Sequence, residues 1–199
     1  MRERSASAMP LDLPGHSAPT VGFEVPLEML TACHGRVQAQ CATLRRLAAY
    51  LTTHGADSHA QDAAAAVMRY FDTAALHHHA DEEVDLFPAL IESMAGSDAV
   101  CLRELTASLT AEHRQLEQRW RALRARLDQV ARAEAATLTD EEVHGFIAQY
   151  ERHIEREETE VLPMAGRLLG DAELDRIGLA MRARRGGVEP EPPMRPFPA

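Results

Sequence analysis

The chain repeats one pattern in the stretches HHADEEVDLFP (residues 78–88) and HIEREETEVLP (residues 153–163). In each stretch a histidine is followed by glutamate at plus four, by a second acid at plus five and by proline at plus ten. Residues four apart lie on the same face of an α-helix, so the histidine and the first glutamate of each copy can converge on one point. A single copy would be weak evidence, but its repetition with the same flanking residues indicates a shared site.

A lone histidine lies well upstream of each copy, His34 before the first and His113 before the second. Four helices are therefore implied, and together they can bring four imidazoles and two carboxylates to one place. That number of donors suits two metal ions. The predicted metal ligands are His34, His78, Glu82, His113, His153 and Glu157.

The direction of each histidine can be tested without the motif, by stepping 100° per residue along the helix. All four histidines fall on apolar stripes, which is the side that a helical bundle buries. Leu30 and Cys41 share the direction of His34, and Leu109 and Trp120 share that of His113. Burying two unpaired carboxylates in such a stripe would cost several kcal/mol unless a cation stabilised them.

The same 100° step gives the direction in which the residues next to the motif residues point. His78 lies at the centre of its stripe, so His77 and His79 are expected to be flanking or exposed. Glu83 and Glu158 turn away from their histidines and are expected to reach solvent. Two acids at plus seven, Asp85 and Glu160, lie close to the histidine direction, and the sequence leaves their role open.

Composition excludes several classes of protein. The formal net charge of −10 argues against nucleic acid as a partner, because no basic stripe offsets it. No run approaches the roughly 20 apolar residues that a membrane span needs. The start of the chain, MRERSASAMPLDLPG, lacks the apolar core of a signal peptide. Three cysteines do not make a disulfide framework, so a cytoplasmic location is expected.

The order of helices predicts an all-α fold, an up-down-up-down antiparallel four-helix bundle. Residues 1–22 are predicted to be a flexible lead, residues 23–168 the bundle, residues 169–185 a short C-terminal helix, and residues 186–199 a Pro-rich tail. Proline, Gly55 and a Thr139–Glu142 capping box mark the helix ends. The predicted helices run from about Pro26 to His54, Ala60 to Phe87 (where Pro88 should kink or end the helix), Asp98 to Ala133, Thr139 to Pro163, and Gly170 to Arg184.

The donors are nitrogen and oxygen without thiolate, which disfavours iron–sulfur clusters and Cys-rich zinc sites. His34, the two repeated stretches and the segment EHRQLE around His113 form a recognisable set. By this set, residues 26–168 resemble the hemerythrin-like family, the HHE cation-binding domain. The resemblance implies a non-haem centre of two Fe ions with oxo or hydroxo and carboxylate bridges. The six predicted residues would be its ligands and the two glutamates would bridge. Manganese and zinc remain alternatives.

One position departs from the oxygen-carrying hemerythrins, which have a further histidine one turn after the third-helix histidine. Here that position is Glu117. The sequence leaves Glu117 open as a seventh ligand, as a residue that supports the ligands from outside, or as a merely polar residue, and it favours the second role. Tyr150 is the other candidate for a supporting residue, and no catalytic residue is predicted. The four-His, two-Glu set resembles the iron-cluster repair proteins and the iron-sensing hemerythrin domains.

The expected function is binding or sensing of a small ligand such as oxygen, nitric oxide or peroxide. Two alternatives stay open. One is a di-iron enzyme that detoxifies peroxide or nitric oxide. The other is iron storage, delivery or sensing, including iron-cluster repair. The sequence does not decide the oligomeric state.

Overall fold

A computed structural model describes residues 22–94, 97–134 and 137–186, which form helices and no strands. The predicted flexible lead and the Pro-rich tail lie outside the described residues, apart from Gly22 and Gly186. None of the helices in the described ranges combines the length and the apolar character that crossing a membrane requires.

The first two helices begin and end at the predicted signals. Helix α1 spans Pro26–His54 and starts with proline, whose missing N–H would have no partner in a first turn. It ends at Gly55, which has φ 65° and donates its N–H to the carbonyl of Leu51. This left-handed conformation favours glycine. Helix α2 spans Ser58–Ala80, and the side chain of Asp57 caps it.

Pro88 was predicted to kink or end the helix, and the helix does not end there. After α2 it continues through a π turn, Asp81–Leu86, into α3, Phe87–Ser93. The N–H of Phe87 bonds to the carbonyl of Glu82, five residues back. Proline cannot donate to the preceding turn and its ring crowds that turn, and the inserted residue of a π turn gives the ring room.

The second copy of the motif repeats this arrangement. Helix α5, Asp140–Arg156, leads through a π turn, Glu157–Val161, into α6, Leu162–Leu168. The N–H of Leu162 bonds to the carbonyl of Glu157. In both copies the π turn therefore begins beside the motif glutamate, whose carbonyl accepts the widened hydrogen bond.

Helices α4 and α7 complete the chain. Helix α4 spans Ser97–Ala131. The predicted capping box then starts α5, because Thr139 Oγ1 accepts from the N–H of Glu142 at 3.2 Å and the carboxylate of Glu142 accepts from the N–H of Thr139 at 3.3 Å. The short C-terminal helix α7 spans Asp171–Arg184.

The four long helices each contact two of the others: α1 and α4 both pack against α2 and α5. Buried apolar side chains form two separate clusters along this assembly. The larger cluster includes Leu44, Phe71, Trp120 and Phe146, and the other includes Leu30, Leu90, Leu109 and Val161. Every long helix carries a buried histidine near the junction of the two clusters, and the buried Glu82 and Glu157 lie in the two π turns.

Helix α7 is held against α1 and the first π turn. A Cβ at Gly178 would lie 2.1 Å from the carbonyl oxygen of Phe23, so only glycine allows this approach. Arg184 and Arg185 both bind the carboxylate of Asp81, which is fully buried. Arg184 also binds Asp85 at 2.6 Å, so this acid pairs with α7.

Candidate metal centre

The six predicted ligands lie together in the middle of the protein, each no more than 2% exposed. They form two overlapping sets of four donors, with the donor atoms of each set within 4.8 Å of one another. Both glutamates belong to both sets. One set is His34, His78, Glu82 and Glu157, and the other is Glu82, His113, His153 and Glu157.

The imidazole Nε2 atoms face the carboxylate oxygens at short distances. Nε2 of His34 is 3.2 Å and Nε2 of His153 is 3.0 Å from oxygens of Glu157. Nε2 of His78 is 3.4 Å and Nε2 of His113 is 3.3 Å from oxygens of Glu82. Two ligands about 2.1 Å from one ion and at right angles would be about 3.0 Å apart, so these separations suit coordination.

Most of these inward atoms have no hydrogen-bond partner. They are Nε2 of His34, His113 and His153, one oxygen of Glu82 and both oxygens of Glu157. Buried polar atoms normally find a partner, because an unsatisfied one costs about 1–3 kcal/mol. A metal ion bound between them would satisfy all of them at once. The residues present therefore fit a cation site.

Carboxylates outside the cluster fix the direction of three of the rings. Nδ1–H of His34 donates to Glu158 at 3.0 Å, that of His113 to Glu83 at 2.7 Å, and that of His153 to Glu112 at 2.9 Å. A hydrogen bond of this kind holds the proton on Nδ1 and leaves Nε2 to bind a metal.

The expectation that Glu83 and Glu158 reach solvent holds for Glu158 and only in part for Glu83. Their side chains are 18% and 39% exposed, yet each binds a histidine of a neighbouring long helix. Stepping around a single helix could not show this, because the partner lies on another helix. Glu112 was also missed, although it directly precedes His113 in the sequence.

The fourth ring, His78, has a different neighbour. Its Nδ1 makes no hydrogen bond, and the thiol of Cys33 lies beside it. Cys33 precedes His34 just as Glu112 precedes His113, so the two halves of the site correspond except for this exchange. Burial raises the pKa of the Cys33 thiol, but His78 and Arg36 outweigh burial and lower it to about 7.

Without a metal, protonated imidazoles supply the positive charge in the cluster. Burial opposes the charge on His34, but Glu157 and Glu82 outweigh it and raise its pKa to about 10. The same balance raises the pKa of His113 to about 11. Burial raises the pKa of Glu157, but its histidine neighbours hold it well below the usual value. The metal-free cluster therefore keeps its carboxylates ionised and balances them with imidazolium charge.

His79 was expected to flank the site or to be exposed; it lies inside the protein beside the cluster, so it flanks the site and is not exposed. Its ring is stacked on His113 with centroids 4.0 Å apart, and its Nε2 is 3.5 Å from the hydroxyl of Tyr150. Burial and the charge of His113 lower the pKa of His79 well below the usual value. The buried face of α2 and of the π turn that follows it widens at this level to include Ala75, His78, His79, Asp81 and Glu82.

The remaining candidates lie further out. Glu117 binds Arg114 at 2.7 Å and Arg121 at 3.7 Å, and Arg114 in turn binds Glu83. Its link to the cluster therefore runs through Arg114 and Glu83. The acid at plus seven in the second copy, Glu160, is 3.6 Å from Arg156, and its side chain is 48% exposed.

The fold and the buried donors define an all-helical protein with a His–Glu site suited to metal ions. The Hemerythrin HHE cation binding domain matches residues 25–165, and the chain belongs to this family. An uncharacterized protein of Haemophilus influenzae is 33% identical over 160 residues, which cover 80% of this chain and 90% of that protein.

Proposed function

We propose that this protein holds two iron ions in a non-haem centre and binds or senses a small ligand there, such as oxygen, nitric oxide or peroxide. The observation that carries the proposal is the pair of overlapping donor sets. Because both glutamates belong to both sets, Glu82 and Glu157 would help to hold both ions. Two histidines of each set would complete the protein ligands of each ion.

We also propose that the four long helices form an antiparallel up-down-up-down bundle within residues 23–168, in the cytoplasm. The contacts of α1 and α4 with both α2 and α5 support a ring of four helices. In such a bundle each long helix contributes one imidazole at the same level along the bundle axis. Short connections between helices favour antiparallel neighbours.

The mixture of donors supports iron. Two imidazoles with carboxylate oxygens are typical of non-haem iron sites, whereas thiolates would point to other metals. The bound iron ions would supply the open coordination positions and the redox chemistry that a small ligand requires. Metal analysis of the purified protein distinguishes iron from manganese and zinc.

The chain itself orients the donors and excludes water. Glu83, Glu112 and Glu158 keep three imidazoles turned inward by accepting from their Nδ1–H groups. The apolar clusters on either side of the histidine layer keep bulk solvent from the site. A dry site strengthens every electrostatic interaction within it, including those between the carboxylates and a cation.

Metal analysis of protein produced in iron-replete cells tests the proposal, with two irons per chain expected. His78→Ala and Glu157→Ala should both reduce the iron content well below that of the parent. The exposed His59 provides the control, and His59→Ala should retain the metal. Iron-free parent protein, or unchanged iron in both variants, would contradict the proposal.

Exposure of the reduced, iron-loaded protein to oxygen then separates binding from the alternatives. A lasting change in visible absorption that reverses when oxygen is removed would indicate binding or sensing. Rapid consumption of peroxide or nitric oxide would indicate an enzyme. Release of iron to an acceptor protein without either response would indicate storage or delivery.

A further inference from the structure

The first π turn carries two acids, one on each side of Glu82 in the sequence, that are not part of the donor cluster. Asp81 is fully buried and Asp85 is 7% exposed. Neither belongs to either four-donor set. An ionised carboxylate in the interior is costly unless a positive group pairs with it. The charge of these two acids must therefore be balanced from outside the donor cluster.

Helix α7 supplies the positive charge that balances these acids. Arg185 donates to the carboxylate of Asp81 from Nη2 at 2.5 Å and from Nη1 at 3.1 Å. Arg184 binds both acids, with 2.6 Å between its Nη2 and an oxygen of Asp85. The side chains of the two arginines are only 19% and 12% exposed for Arg184 and Arg185. Guanidinium–carboxylate pairs with little access to solvent are weakly screened and hold both partners in a defined geometry.

The second copy of the motif pairs the corresponding charges without α7. Arg156 and Glu160 stand where the first copy has Asp81 and Asp85. Arg156 is 3.6 Å from Glu160 and also binds Glu112 on α4. The second π turn is therefore preceded by its own arginine, whereas the first π turn depends on two arginines from α7.

We propose that Arg184 and Arg185 are positioning residues for Glu82, so that the docking of α7 and the binding of metal strengthen each other. This rests on the proposed metal centre. Without the arginines, Asp81 would be a buried charge that has lost its partners, and the turn would have to move to bring it to water. Glu82 is the next residue, so its carboxylate would leave the place where it faces Nε2 of His113. Two events that favour the same arrangement of the turn are coupled, and the coupling is reciprocal.

The first test compares the parent with a variant that carries both Arg184→Ala and Arg185→Ala. Iron(II) is titrated into metal-free protein without oxygen, against a competing chelator. Loss of a group that supports a ligand from outside weakens metal binding about 10–100-fold, so the variant should bind iron about tenfold more weakly. Arg176→Ala is the control for charge, since Arg176 is an exposed residue of the same helix. Leu127→Ala is the control for stability, because among the described residues neither α7 nor either π turn contributes to the apolar cluster that contains Leu127. Both controls should keep the affinity of the parent.

Amide hydrogen exchange of the parent protein is a second test, and it needs no variant. Iron should slow exchange in α7, residues 171–184, more than in residues 58–61, which begin α2 at the end remote from the π turn. In the double arginine variant, iron should no longer slow exchange in α7.

Three results would overturn the inference but leave the metal centre intact. They are a double variant with the affinity of the parent, a Leu127→Ala protein that loses as much affinity as the double variant, and exchange in α7 of the parent that does not respond to iron. A parent that binds no iron would overturn both the inference and the metal centre.

Discussion

Glu83 reaches across from the first π turn to His113 on α4 and so connects the motif to a histidine outside it. The carboxylate accepts from Nδ1–H of His113 at 2.7 Å and also binds Arg114. An ionised acceptor makes the imidazole a better metal ligand and fixes the nitrogen that faces the metal. Glu158 does the same for His34 from the second π turn.

We expect Glu83→Ala to weaken metal binding by about 10–100-fold while the protein remains folded, because His113 loses the group that orients it. The measurement is a metal titration monitored by absorption, with circular dichroism to check the fold. Glu117→Ala is a matched control, since it removes the same charge and another partner of Arg114 without touching His113. Equal losses in both variants would mean that charge near Arg114, and not the contact with His113, determines affinity.

The histidine and glutamate positions could be predicted because residues four apart share a face of a helix, which is a local property. The repetition of the motif with the same flanking residues supported this interpretation. His79, Glu83 and Glu112 could not be placed in this way. Their roles depend on side chains of other helices, and a projection of one helix contains no information on these distances. The orienting roles of Glu83 and Glu112 remain predictions.

At the scale of elements, the π turns explain how two successive glutamates serve different histidines. A wider turn rotates each residue by less than 100°, so the residue at plus five turns less far from the motif histidine than it would on an α-helix. Glu82 and Glu157 then face the interior, and Glu83 and Glu158 reach sideways to α4 and α1. The prolines at plus ten indicated where the helix departs from regular geometry. The step of 100° per residue, however, applies only to a regular α-helix.

Helix α7 offers a test of how closely the elements must approach. We expect Gly178→Ala to destabilise the protein by about 1–3 kcal/mol, because the added Cβ would overlap the carbonyl oxygen of Phe23. Chemical denaturation measures the change. Gly35→Ala on α1 is the control, since nothing lies within 4 Å of its added Cβ, and alanine there should stabilise the helix by about 0.5–1 kcal/mol. A Gly178→Ala protein as stable as the parent would show that α7 can shift freely.

For the whole molecule, the sequence predicted the number and order of the long helices and the bounds of α1 nearly to the residue. Caps and apolar periodicity act locally, so they could be recognised. The attachment of α7 to the first π turn was not predicted, because it depends on Arg184 and Arg185 meeting Asp81 across about a hundred residues of chain.

Removal of the metal should make stability depend on pH in the alkaline range. In the metal-free protein the pKa values of His34 and His113 are raised from 6.5 to about 10 and 11. Their contribution is therefore complete below about pH 6.5 and is lost as the pH rises through 10 and 11. Glu157, whose pKa is lowered from 4.5, contributes above that pH and loses its contribution in acid.

Urea unfolding at pH 6, 8 and 10 checks this expectation, with metal-loaded protein as the control. The metal-free protein should become less stable from pH 6 to pH 10. The loaded protein should change less, because bound metal keeps the imidazoles neutral at all three values. Parallel curves for the two forms would indicate that the histidines are not protonated in the metal-free cluster.

The two apolar clusters on either side of the histidine layer would also affect the cost of reaching it. A small uncharged gas enters a hydrocarbon environment at little cost, whereas an anion of similar size would have to give up its hydration. A molecule that crossed either cluster would therefore meet a smaller barrier if it carried no charge.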